Sequence, residues 1–322
     1  MNWELSAVPY WPIHRRRIAR RRVVACVVAA AILVPLLLVR AQLQAEPVGR
    51  RVFDAVADTV TDRYVDPTFH GIPWMSLVAH YRPLVEAAPT TAARYALLRA
   101  MLAQLGDSHT AVYSPADLRA DELDSRAPTI TWRDLTPRVG YVRIASFPDN
   151  LSTAIGWALE IEGRKPALIL DLRGNPGGQV SSVDAAAGAF LPRGALISTA
   201  TGRWPAFESY SFTADASTGT AYRGNVVVLV DSATSSGAET LARALQFYRR
   251  ATIVGTRTAG KVMGVDAEVP LADGGLLRVA TMDIRGPDGR PLERRGVFPD
   301  DVANGDAVQL RTALNVLSRA RS

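Results

Sequence analysis

The sequence is short of cysteine, lysine and histidine, and each shortage narrows the chemistry. One cysteine in 322 residues excludes a disulfide framework and any multi-cysteine metal site. Four scattered histidines, His14, His70, His80 and His109, show no metal-ligand spacing, so neither a metal nor a cofactor is expected. Only two lysines occur, Lys165 and Lys261, against 35 arginines. A lysine in a conspicuous place is therefore expected to do what arginine cannot, such as give up its proton. No internal repeat or low-complexity tract is present. A hydrophobic fraction of 48% excludes a wholly disordered chain.

The net charge of +6 belongs to one end. Residues 1–50 hold eight arginines and two glutamates, whereas residues 51–322 hold 29 basic and 29 acidic residues. The main part is thus neutral, and the basic pI gives no reason to expect nucleic-acid binding. Six arginines between Arg15 and Arg22 precede an uncharged apolar run, Val23 to Val39. At a rise of ~1.5 Å per residue, that run extends ~25 Å, near the lower limit for a membrane helix. The expectation is a cytoplasmic tail at 1–22, a single transmembrane anchor at 23–40, and the rest outside the cytoplasm, by the positive-inside rule. The rival is a cleaved signal peptide, for which Leu43-Gln44-Ala45 is a poor cleavage site.

Further along, Val52, Val56, Val60 and Tyr64 recur at helical spacing, as do Tyr95, Leu98, Met101 and Leu102. A helical domain is expected over 51–118, followed by a polar linker at 119–137. From Val139 the period changes. Short β-rich runs at 139–144, 167–172, 226–230, 252–254 and 276–281 alternate with helical stretches at 151–163, 180–190 and 237–249. That alternation predicts βαβ units and an α/β core over 138–322.

Three motifs sit where strands end. Asp171-Leu172-Arg173-Gly174-Asn175-Pro176-Gly177-Gly178 can bring backbone close to a ligand and point amides at it, or can simply turn the chain. Ser236-Gly237-Ala238-Glu239 reads as a capping box. It also reads as a nucleophile at a helix start, where amides can meet an oxyanion. Thr258-Ala259-Gly260-Lys261 carries the rare lysine.

In this order, and with Val139–Ile144, Pro287-Asp288-Gly289 and Gly296–Asp300, these motifs resemble the tail-specific, or C-terminal processing, serine peptidases. The similarity spans most of 51–312 and is densest over 139–302. It implies a ClpP/crotonase-like serine peptidase core behind an N-terminal helical region. It implies a Ser/Lys dyad, with Ser236 as nucleophile 25 residues before Lys261, and Lys261 as a base kept neutral by burial. The oxyanion would meet the Gly237 amide and that of Gly177 or Gly178. Substrates would be protein tails or exported proteins.

Two departures matter. The family often has Gln four residues after the lysine, where this chain has Val265; Asp266 and Glu268 are weak substitutes for orienting Lys261. The segment between Ser114 and Val139 is also too short for the PDZ domain of many relatives, which leaves room for an activating partner. Ser108-His109 resembles the Ser-His pair of the tricorn branch, so His109 is the alternative or additional base. Two rival functions remain: a peptide- or lipid-binding module like the retinoid-binding proteins of the eye, and an acyl-thioester enzyme of crotonase type.

Overall fold

The apolar runs that alternate with helices come together in one sheet. The computed structural model describes residues 47–124, 129–149, 151–203, 209–215 and 221–319. The anchor expected at 23–40 and the tail before it lie outside the described residues. Among the described residues, no helix is long and apolar enough to cross a membrane.

The first part of the chain forms α1 (Val48–Arg63), α2 (Trp74–Glu86), α3 (Thr91–Ala103), β1 (Ala111–Tyr113) and α4 (Pro115–Asp124). Next come β2 (Ile130–Thr136), β3 (Val139–Ile144), α5 (Leu151–Glu162), β4 (Ala167–Asp171) and α6 (Val180–Gly188). They are followed by β5 (Leu196–Gly202), β6 (Tyr210–Thr213), β7 (Asn225–Val230), α7 (Gly237–Phe247) and β8 (Ala251–Gly255). The chain continues through β9 (Met263–Gly264), β10 (Ala267–Pro270), β11 (Leu276–Val279), β12 (Met282–Arg285), β13 (Asp301–Val302) and α8 (Asp306–Arg319).

The central sheet has the order β13-β8-β7-β4-β3-β2. Its pairings are parallel except that of β2 with β3. All five residues of β4 are buried, as a strand covered on both faces requires. Period-two alternation sorts them. Leu168 and Leu170 pack with α5, α6 and α7 through Ile155, Val183 and Leu241. Ala167 and Ile169 pack with α8 through Ala313 and Leu317.

The helical N-terminal region is not a separate domain ending at 118. Val52, Val56 and Val60 of α1 and Leu98 and Met101 of α3 share one core with Leu277 and Val279 of β11. That strand pairs with both β1 and β10. The described residues from Gly49 onward form one compact unit.

The linker expected at 119–137 is also largely structured. It contains the end of α4 and the whole of β2, an edge strand paired with β3 from Ile130↔Ile144 to Thr136↔Val139. Its apolar residues are few, Ile130 and Trp132 against one core cluster and Leu135 against another, and the charged and hydroxyl residues between them hid the strand. A third sheet, β6-β5-β12-β9, and the helix α8 have no counterpart in the sequence reading.

The parallel strands β4, β7 and β8 all end on the same side of the sheet. The loops after them are 172–179, 231–236 and 256–262, the three stretches that carry the motifs. Crevices outside the carboxyl ends of parallel strands are where open α/β sheets bind ligands.

Candidate active site

The loop after β4 is built around a buried asparagine. Asn175 is fully buried; its Nδ2 donates to the Ile144 carbonyl at 2.9 Å, and its Oδ1 accepts from the Gly177 N–H at 2.7 Å. Gly177 and Gly178 have φ of 93° and 142°, values that favour glycine. A Cβ on Gly177 would lie 2.6 Å from Ser236 Cβ and 2.8 Å from the Gly237 nitrogen. This loop therefore presses directly on the start of α7. At its head, burial works to raise the Asp171 carboxyl, but hydrogen bonds from Arg173 and Tyr141 hold it below the usual carboxylate range.

Ser236 occupies the N-cap of α7 with φ 55° and ψ −125°, a strained conformation for a residue with a side chain. Three contacts enforce it. The Ser236 N–H donates to the Lys261 carbonyl at 2.8 Å and to Glu239 Oε2 at 3.2 Å. The Ser235 N–H donates to the Asn175 carbonyl at 2.9 Å. The hydroxyl faces the Glu239 N–H in capping-box arrangement, but no side-chain cap bond forms. That N–H donates instead to the Ser236 carbonyl at 2.9 Å.

Glu239 is fully buried and ties the nucleophile loop to the lysine loop. Besides Ser236, it accepts from Thr258 Oγ1, from the Gly260 N–H at 2.9 Å and from the Lys261 N–H at 2.9 Å. Burial raises its carboxyl above the ordinary range, and these hydrogen bonds oppose the rise.

The backbone of Lys261 is thus fixed at both N–H and C=O, but its side chain is exposed. The expected burial is not there, because the inward-facing groups of this loop are backbone atoms. Among the described residues, Lys261 Nζ has no hydrogen bond to Ser236 Oγ. Of the two weak candidates, Glu268 pairs instead with Arg278 at 2.7 Å, and among the described residues neither makes an ion pair with Lys261.

His109 is more elaborately held. Its N–H donates to Asp107 Oδ1 at 2.7 Å, and its Nδ1 lies 2.6 Å from Ser108 Oγ. Ser108 Oγ in turn donates to Glu293 Oε2 at 2.8 Å, an oxygen that also accepts from the Val262 N–H at 2.7 Å. A hydroxyl has one proton, and here it goes to the carboxylate. Nδ1 must therefore be the donor to Ser108 Oγ, which leaves Nε2 with a free lone pair. Burial, the largest influence, lowers the His109 pKa; Glu293 and Asp107 oppose it, and the charges of Lys261 and Arg278 add to it. His109 is neutral at neutral pH.

Ser236, Lys261, His109, Gly177, Gly178 and Gly237 all line one cavity of about 570 Å³. The sequence picked all six. It did not pick Glu293, which lies 184 residues beyond His109 in a stretch without any local motif. Asn175 was visible only as part of a turn. Among the described residues, no metal-binding cluster is present.

Residues 138–303, just over half of the chain, match the family model described as Peptidase family S41. The chain belongs to peptidase family S41. Residues 49–103 also match the Tricorn protease C1 domain. Among curated proteins, this S41 chain is 34% identical over 166 residues to a carboxyl-terminal-processing protease of Synechocystis sp.; the match covers 51% of this chain and 38% of that protein. It is 33% identical over 171 residues to a carboxy-terminal-processing protease of Bartonella bacilliformis, covering 51% and 38% respectively. The chain thus matches well under half the length of these relatives. Among solved structures, the photosystem II D1 C-terminal processing protease superposes with a TM-score of 0.61 at 21% identity, over 84% of this chain and 97% of that one. A lipoprotein from Streptococcus agalactiae superposes with a TM-score of 0.68 at 17% identity, over 84% and 96%. At such identities the superpositions speak for the fold.

Proposed function

We propose that this S41 chain is a serine endopeptidase in which Ser236 is the nucleophile and His109 the general base. The observation that carries this reading is the chain of hydrogen bonds from His109 Nδ1 through Ser108 Oγ to Glu293, beside a strained serine in the same cavity. A neutral imidazole with one nitrogen anchored and the other free is what a nucleophilic serine needs. The match to the Tricorn protease C1 domain supports the same branch. Lys261 serves two ends here: its carbonyl holds Ser236, and its charge favours neutral His109.

In the reaction, Ser236 Oγ attacks the peptide carbonyl carbon while its proton passes to His109 Nε2. The developing oxyanion meets the N–H groups of Gly178 and Gly237, which have no acceptor among the described residues. The Gly177 N–H, already given to Asn175, stabilises the loop instead. Collapse of the tetrahedral intermediate breaks the C–N bond, and His109 returns its proton to the leaving amine. Water repeats the sequence on the acyl-enzyme.

The substrates proposed are protein tails or exported proteins, met outside the cytoplasm by a chain anchored through residues 23–40. The apolar run behind its arginine block supports that location.

The test is labelling of the full chain with a fluorophosphonate, a reagent that phosphonylates activated serines. The expected result is one modified residue, Ser236, with the labelling rate rising with pH along a limb centred below the ordinary histidine value of about 6.5. A limb in the lysine range would instead make Lys261 the base, and no labelling at all would sink the peptidase reading. A further expectation concerns the glycine loop. Gly177→Ala should lower kcat about a hundredfold, the cost of displacing a reacting group by ~1 Å, measured on a peptide substrate beside the thermal midpoint.

A further inference from the structure

One charged group in the cavity is used neither by the fold nor by the proposed chemistry. Asp184 lies on α6 and lines the cavity with Ser236. Its Oδ1 is buried and has no hydrogen-bond partner among the described residues. The other charged groups there are accounted for. Glu268 is paired with Arg278, His109 is held by Ser108, and Lys261 makes no ion pair with Asp184 among the described residues. Burial and the nearby Asp215 carboxylate raise Asp184 to about 6, so it remains mostly ionised at neutral pH. A half-sealed carboxylate with no cation and no donor is an incomplete site.

Its position says what would complete it. Val183, the residue before Asp184, packs so closely on α7 that a Cβ at Gly237 would lie 2.7 Å from Val183 Cγ2. Helix α6 therefore flanks the Gly178 and Gly237 amides that would hold the scissile carbonyl. The side chain nearest that carbonyl belongs to the residue that supplies it, the one before the scissile bond. The cavity floor is a face of the β6-β5-β12-β9 sheet. Phe212 stands opposite Ser198 across β5 and β6, and Ile284 and Met282 follow on β12. Phe212, Ile284 and Met282 thus give an apolar wall to the same cavity that Asp184 lines, a combination that suits a long aliphatic stem ending in a positive charge.

Resting on the peptidase reading above, we propose that Asp184 makes the enzyme select lysine or arginine as the residue before the scissile bond. The carboxylate receives the ammonium or guanidinium, and the apolar wall receives the methylenes.

The test uses two peptidyl diphenyl phosphonates that differ only in the side chain at that position, lysine or leucine. Attack by Ser236 forms an Oγ–P bond and expels phenoxide, so labelling reports recognition without turnover. The full wild-type chain is expected to react faster with the lysine probe. In Asp184→Asn the lysine rate should fall at least about thirtyfold, the lower end of what losing one partner of a buried charge pair costs. The leucine rate should hold, which also shows that the variant is folded. A wild type that reacts as fast or faster with the leucine probe, or an equal fall for both probes in the variant, overturns the role of Asp184 and leaves Ser236 as nucleophile. Wild type unlabelled by either probe overturns the peptidase reading and this inference with it.

Discussion

Ser236→Ala and His109→Ala are each expected to lower kcat for a peptide by about 10⁴- to 10⁶-fold, to nearly the same floor, and the double variant should go no lower. Residues that act as one unit lose the whole effect when either is removed. The residual rate would come from the Gly178 and Gly237 amides and from substrate binding. Lys261→Ala is expected to cost far less, about tenfold, and to leave a distinctive trace. Its charge lowers the His109 pKa, so removing it lets that pKa rise. Because the base works in its neutral form, the rising limb of kcat/KM should then move to higher pH. Initial rates across pH for the three single variants decide the matter. A dead Lys261→Ala beside an active His109→Ala would give the base to the lysine, as the 25-residue spacing had suggested.

Glu239→Ala is expected to destabilise the fold by about 3–5 kcal/mol. One buried carboxylate serves four donors, Ser236 N–H, Thr258 Oγ1, Gly260 N–H and Lys261 N–H. Each orphaned buried donor costs roughly 1–3 kcal/mol, and relaxation recovers part of the sum. Urea unfolding measures the loss. Glu239→Gln separates charge from shape. Burial holds the folded pKa of Glu239 above its unfolded value, so the folded state binds the proton more tightly. Its contribution is therefore fully present below the unfolded pKa and is lost as pH rises through the folded one. That slope should be missing from the Gln variant. An unfolding midpoint unchanged in Glu239→Ala would show that the two loops stand without this tie.

The parts of the molecule legible in sequence are those that repeat a local rule. The buried strands β4 and β7 are continuous apolar runs, and the structure places β4 at Ala167–Asp171 and β7 at Asn225–Val230. The glycine pair, Ser236, Lys261 and His109 stood out by composition or neighbours, and they share one cavity. Glu293 did not, because its role depends on Ser108 folding back across the whole core. Strands β6 and β12 are only four residues long, and β5, though seven, mixes apolar residues with serine and threonine instead of forming a continuous apolar run. The burial of Lys261 was misjudged for a different reason. Scarcity explains why a lysine is noticed, but only the surrounding backbone decides which of its atoms face inward.

The hydrogen-bonded line from His109 to Glu293 also has a meaning during synthesis. His109 emerges from the ribosome first, Ser236 127 residues later, and Glu293 a further 57 residues on. Until Glu293 arrives, Ser108 has no Glu293 carboxylate to donate to, and the strand β11 that shares its core with the N-terminal helices has only just appeared. A growing chain would thus carry a serine and a histidine but no working pair.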